Sequence, residues 1–113
     1  MGVFNGVFPV IAGKEEAARQ FAADTIGAHK ADFEAAQARG NVTRETWTLQ
    51  ETPMGSLMVV WFEGDVEKVF TDLATDASDH GTWFRGQILD ITGIDMAVPP
   101  EGPPPDLLID WHS

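Results

Sequence analysis

Two runs of strand-forming residues, Val42 to Glu51 and Ser56 to Glu63, are separated by Thr52-Pro53-Met54-Gly55, and no other feature restricts the fold of this chain as much. Proline presets the backbone angle a turn needs and glycine accepts a positive φ, so the segment predicts an antiparallel hairpin. Centred on Met54, the hairpin sets Leu49 opposite Val59, Trp47 opposite Trp61 and Glu45 opposite Glu63. Side chains alternate along a strand with period two, so a slip of one residue sends each to the other face.

Other elements flank the hairpin on both sides. Val3 to Val10 is β-branched and aromatic on both faces and predicts a first strand, with Pro9 near its end because proline cannot donate to a central ladder. From Gly13-Lys14 to Arg39, Ala18, Phe21, Ala22, Thr25, His29, Phe33 and Ala36 recur at helical spacing and predict one long helix stopped by Gly40-Asn41. Asp65 is an N-cap for a second helix carrying Val66, Val69, Phe70, Leu73, Ala74 and Ala77. A short third helix is expected over Thr82 to Thr92, closed by Gly93. Residues 98–113 read as a proline-rich arm, Pro99 to Pro105, delivering Asp106 to Trp111 as a last strand or arm.

The order β-α-β-β-α-(short α)-β predicts a single domain over residues 1–113 of α+β class: a ferredoxin-like βαββαβ sandwich with an extra short helix and a proline-rich C-terminal arm. Helices cover one sheet face only, and apolar residues on both faces of the inner strands call for a second copy on the other, giving a homodimer.

Composition removes several function classes. The 113 residues suit one domain, and 43% hydrophobic with 22% charged residues is ordinary globular usage. A net charge of -11 repels a phosphate backbone and an anionic membrane surface, so neither nucleic acid nor membrane is an expected partner. The longest apolar run, Leu57 to Phe62, is far too short to span a bilayer. The N-terminus reads as a strand and not as a leader, which makes the cytoplasm the expected location. The absence of Cys excludes disulfides, thiolate nucleophiles and Cys-ligated metals; the absence of Tyr leaves His, Asp, Glu, Lys and Arg for proton transfer or electrostatics. No phosphate-cradling or dinucleotide-binding glycine loop, nucleophile elbow or H-E-x-x-H zinc motif is present in the sequence.

The element order, Gly13-Lys14 before the first helix, Trp47 to Gly55 across the hairpin, and Trp83-Phe84 ahead of Gly93-Ile94-Asp95 resemble the dimeric α+β barrel superfamily, in particular a branch of small bacterial proteins without assigned chemistry. That superfamily includes antibiotic-biosynthesis and heme-degrading monooxygenases. The resemblance to the cofactor-independent monooxygenases implies an aromatic substrate between helices and sheet, with Asn, Trp and Arg around it; Asn5, Trp47, Trp61 and Arg85 supply those types. The resemblance to the heme-degrading members implies an Asn, a Trp and a helical His at a heme, for which Asn5, Trp61 and His80 are the nearest residues, although His80 follows its predicted helix.

Taken as chemistry, His80 in Asp76-Ala77-Ser78-Asp79-His80-Gly81 is the leading acid, base or ligand, since acidic neighbours favour its protonated form; its bland reading is an exposed loop histidine. His29 shares a helix stripe with Phe33 and reads as a satisfied core histidine or a ligand-binding group, and His112 as exposed. Asp72, Asp76, Asp79 and His80 are the residues that a divalent cation would engage, without a recognised metal-loop spacing. Glu45 and Glu63, if paired beside Trp47 and Trp61, would repel one another and form a proton-transfer site; otherwise they sit at the sheet margin with Arg44 or Lys68.

The first functional expectation is therefore a cofactor-independent monooxygenase-like or isomerase-like enzyme on an aromatic or polyketide-like molecule. In it His80, Glu45 or Glu63 moves a proton, Arg85 and Asn5 stabilise oxyanion charge, and Trp47, Trp61, Trp83, Phe84 and His29 hold the ring. A non-catalytic dimer that binds a small ligand or a protein is the second, and a heme protein the third. No metal or bound cofactor is required by the first.

Overall fold

In the computed structural model, which describes residues 2–99 and 102–113, three antiparallel strands and four helices form in the order β1 (Gly2–Val10), α1 (Glu15–Thr25), α2 (Lys30–Arg39), β2 (Arg44–Thr52), β3 (Gly55–Gly64), α3 (Val66–Thr75) and α4 (Asp79–Thr92). Strand order is β1-β3-β2, so β3 is inserted between two strands that run parallel to each other, the split arrangement of a βαβ unit.

The hairpin forms where expected, but its register is one residue away from the predicted one. Leu49 faces Met58, Trp47 faces Val60 and Glu45 faces Phe62. The turn contains two residues, Pro53 and Met54, and is centred between them. The Thr52 hydroxyl fixes it by donating to the Gly55 carbonyl at 2.6 Å and accepting the Met54 N–H at 3.2 Å, while Gly55 takes a φ of +121° that a side chain would resist. Trp47 and Trp61 consequently lie on opposite faces of the sheet, as do Glu45 and Glu63, and neither expected pair exists.

The helices cover the face that carries Phe4, Phe8 and Val10 of β1, Met58 and Phe62 of β3, and Trp47 and Leu49 of β2. Val10, Ala18, Phe21, Met58 and Ile91 make the buried centre, with Phe8, Trp47, Trp83, Phe84 and Ile88 packed against it. A second aromatic group lies at the other end of the sheet, where Phe4 stacks on Phe62 at 5.2 Å and meets the edge of Phe70 at 4.8 Å. The opposite face is open, with Val7 60% and Val59 36% exposed.

Three further expectations change. The long first helix is two helices, broken over residues 26–29, where the His29 N–H reaches back to the Asp24 carbonyl at 2.9 Å. Gly27 permits the close turn, since a Cβ there would approach the Ala23 carbonyl oxygen to 2.8 Å. The third helix is longer than predicted because Ser78 caps it and Asp79-His80-Gly81 form its first turn; Gly93, at φ +76°, ends it as expected. Residues 106–111 carry no regular secondary structure and are exposed, so the sheet has three strands instead of the four of a βαββαβ sandwich. Three prolines precede that segment and donate no ladder hydrogen bond. Of the predicted arm, Pro100 and Glu101 lie outside the described residues. Asp65 caps α3 as read from the sequence, accepting the Lys68 N–H at 3.2 Å.

Among the described residues no helix is long and apolar enough to cross a membrane. Ile91 is 1% exposed in the centre of the core, so Ile91→Ala is expected to lower the unfolding free energy by about 2–5 kcal/mol. Asp65→Ala is expected to cost about 1 kcal/mol through the lost cap. Urea denaturation at an unchanged m-value measures both.

Candidate functional site: an apolar cavity between sheet and helices

The connection from α3 to α4 is tight. Ser78 accepts the Gly81 N–H at 3.1 Å, and Gly81 lies so near Asp76 that a Cβ would come within 2.4 Å of its carbonyl oxygen. This approach aims His80 into the interior, where it is only 8% exposed. Arg85, one turn further along α4, donates to the carbonyls of Leu73 at 2.8 Å and Asp76 at 2.7 Å, satisfying the otherwise unpaired C-terminal end of α3.

Between the covered sheet face and the helices lies a cavity of about 130 Å³. Its walls are aromatic (Phe21, Phe33, Trp47, Phe62, Phe70, Phe84) and aliphatic (Met58, Val60, Ile88, Ile91), with Gln37, Glu45, Asp72, Asp76 and His80 among its polar lining residues. Glu45 reaches it because β2 alternates, placing Glu45, Trp47 and Leu49 on the covered face. One Glu45 oxygen accepts the Gln37 amide at 2.8 Å and the other accepts the Trp47 indole N–H, so the carboxylate is held in a fixed plane. Asp72 and Asp76 are engaged by Arg39 of α2, at 3.0 Å and 3.4 Å.

The structure brings together a subset of the residues proposed from the sequence. Glu45, Trp47, Phe84 and His80 line the cavity. His29 stands beside His80, their Nδ1 atoms 3.2 Å apart, and lies flat on Trp83 with 3.6 Å between ring centroids. Asn5 and Trp61 are cross-strand neighbours on the open face, where the Arg44 guanidinium sits 5.8 Å from the Trp61 ring centroid. Glu63 is on that face too, accepting the Thr43 hydroxyl at 2.8 Å. Arg85 is committed to the α3 carbonyls. The heme set Asn5, Trp61 and His80 does not converge, because the sheet separates the first two from the third. Among the described residues Asp72, Asp76, Asp79 and His80, the set a divalent cation would have engaged, do not group together: Asp72 and Asp76 pair with Arg39, and the acid that joins His80 and His29 is Asp32.

Burial pushes the His80 imidazole below its ordinary value of 6.5, outweighing the pull of Asp32 and Asp76 in the other direction, with neighbouring His29 adding to the depression. The acidic sequence context pointed the opposite way, because it carries no measure of burial. Hydrogen bonds from Ser78 hold the Asp76 carboxyl below its usual 3.8, helped by Arg39. Gln37 and Asp32 were missed by sequence reasoning. The available signal for Asp32 was its position three residues after His29 on one helix face, and for Gln37 there was none.

No model of a known protein family, no curated protein and no solved structure matches this chain.

The depressed His80 value sets an acid-side stability change. Unfolding returns the imidazole to about 6.5, so the unfolded chain takes up this proton first, and stability falls as pH drops from about 6.5 through the lower folded value. Asp76 acts in a separate window, its contribution being full above 3.8 and lost as pH falls through its lower folded value. Denaturation midpoints measured against pH should show the first step disappear in His80→Gln and persist in Asp76→Asn.

Proposed function

We propose that this chain binds a small aromatic molecule in the cavity and that Glu45 transfers a proton to or from it, in the manner of a cofactor-independent monooxygenase-like or isomerase-like enzyme. The observation that carries the reading is a carboxylate fixed by two donors in a largely aromatic and aliphatic cavity. Each carboxylate oxygen has a further lone pair, so a substrate proton can be received without releasing Gln37 or Trp47. The aromatic walls supply ring faces for stacking. The volume bears on the substrate: about 130 Å³ compares with the roughly 150 Å³ of an apolar cavity that takes up benzene, so the cavity has room for a single ring.

A second reading, a binding module without turnover, is favoured by one observation. Arg85 and Asn5, the groups expected to stabilise oxyanion charge, supply no donor to the cavity: the first caps α3 and the second faces away.

The finer architecture belongs to the same proposal. A ferredoxin-like, dimeric α+β barrel is supported by the split βαβ order and by an open sheet face carrying exposed Val7 and Val59 beside half-buried Val3, Leu57 and Trp61. Pairing two such faces buries this surface.

Ligand-observed NMR with single-ring phenols and aryl ketones tests the reading, followed by solvent deuterium exchange into those that bind. Glu45→Gln is expected to keep binding and to slow exchange by about 10²–10⁴-fold. Binding that survives undiminished when Val60→Phe fills the cavity overturns the assignment, and binding without exchange in the unmodified chain selects the second reading. For the dimer, sedimentation should give twice the chain mass, reduced to one chain by Val59→Lys; a monomeric unmodified chain contradicts it.

A further inference from the structure

We propose that His29, Asp32 and His80 form a site for a zinc-class transition-metal cation. One ligand atom from each lies within 4.8 Å of the others, although His80 is 51 residues from His29 in sequence. The site is assembled by two local features already described. The break between α1 and α2 puts His29 at the start of α2 with Asp32 in the first turn, and the tight α3–α4 junction turns His80 inward from the first turn of α4.

The spacing matches the chemistry. Two nitrogens bound at about 2.0–2.1 Å to a tetrahedral ion stand roughly 3.3–3.4 Å apart, and the two Nδ1 atoms here are 3.2 Å apart. Both rings are held before any ion arrives. His29 is parallel to the Trp83 indole within 5°, and His80 is packed by Phe84 and Trp83 at 5.6 Å and 5.8 Å. Locked rotamers reduce the ordering cost of binding. Asp32 is exposed, giving an ion a path from solvent and a carboxylate at the rim.

Two imidazoles and one carboxylate select Zn²⁺, Co²⁺, Ni²⁺ or Fe²⁺ over Ca²⁺ and Mg²⁺, which favour all-oxygen sets. Three protein ligands leave a coordination position for water, the pattern of catalytic and not structural zinc. Two helix N-termini converge here, and their partial positive charge opposes a cation. Asp32 is the group that offsets it, so its charge is required as well as its oxygen. His80 belongs both to this cluster and to the cavity wall, so an ion here would stand beside the space assigned above to the aromatic ligand. The competing account of the same geometry is a plain hydrogen bond between two imidazoles, one protonated at Nδ1.

Titrating chelator-treated full-length protein with Co²⁺ and then Zn²⁺ distinguishes the two. The site predicts one ion per chain, the intense visible absorption of a low-coordinate Co²⁺ centre, displacement by Zn²⁺ and no competition from Mg²⁺. Affinity should fall by at least about tenfold in Asp32→Asn and in His29→Ala, and remain unchanged in His112→Ala. Asp32 is exposed, so Asp32→Asn keeps the fold and decides the question even if His80→Ala does not fold. The proposal is overturned by no binding, by the weak spectrum of the aqua ion, by affinity unchanged in Asp32→Asn and His29→Ala, or by loss in His112→Ala instead.

Discussion

The register of the β2–β3 hairpin is the constraint on which the rest of the structure depends. A two-residue turn at Pro53-Met54, tied by the Thr52 hydroxyl, fixes which half of each strand meets the helices. Glu45, Trp47 and Leu49 go to the covered side, Trp61 and Glu63 to the open one. Moving the pairing by one residue would place polar Thr46 and Thr48 against the helices and expel Trp47 from its contacts with Phe21 and Phe84, at 5.1 Å and 5.9 Å. The aromatic enclosure would then lose both a wall and its carboxylate.

Interruptions in regular structure supply the remaining chemistry. An unbroken helix from 14 to 39 would carry His29 along a continuous stripe; the turn at 26–29 redirects it toward His80. Gly81 permits the backbone of α4 to approach Asp76 where any side chain would collide. Arg85 then closes the junction by capping α3, a role that accounts for its half-burial. The titratable groups of interest are thus arranged by places where the helices stop.

Much of this was legible from local patterns. The hairpin, the Asp65 cap, the apolar stripe of α3 and the Gly93 terminus each depend on a few neighbouring residues, and each was read from them. The register was not, because Pro53-Met54-Gly55 admits turn centres half a residue apart and β3, apolar on both faces over Leu57 to Phe62, offers no alternation against which to set β2. Nor was the His29–Asp32–His80 cluster, which requires knowing that the first helix breaks and that two segments 51 residues apart meet. The predicted last strand failed for a similar reason: apolar content in Leu107, Leu108 and Ile109 indicates a surface to cover, not the edge that covers it. Of the residues singled out by type, Glu45, Trp47, Phe84 and His80 line the cavity, whereas Asn5, Trp61 and Glu63 lie on the other side of the sheet.

Glu45 and Trp47 share the helix-covered face while Trp61 faces the open one, and isotope-edited NMR in solution reads that arrangement. This register requires cross-strand contacts from the Trp47 backbone to Val60, with the Trp47 indole close to Phe21, Phe33 and Phe84 and the Trp61 indole close to Arg44. Cross-strand contacts pairing Trp47 with Trp61 and Glu45 with Glu63 would contradict it, and would remove the carboxylate from the cavity.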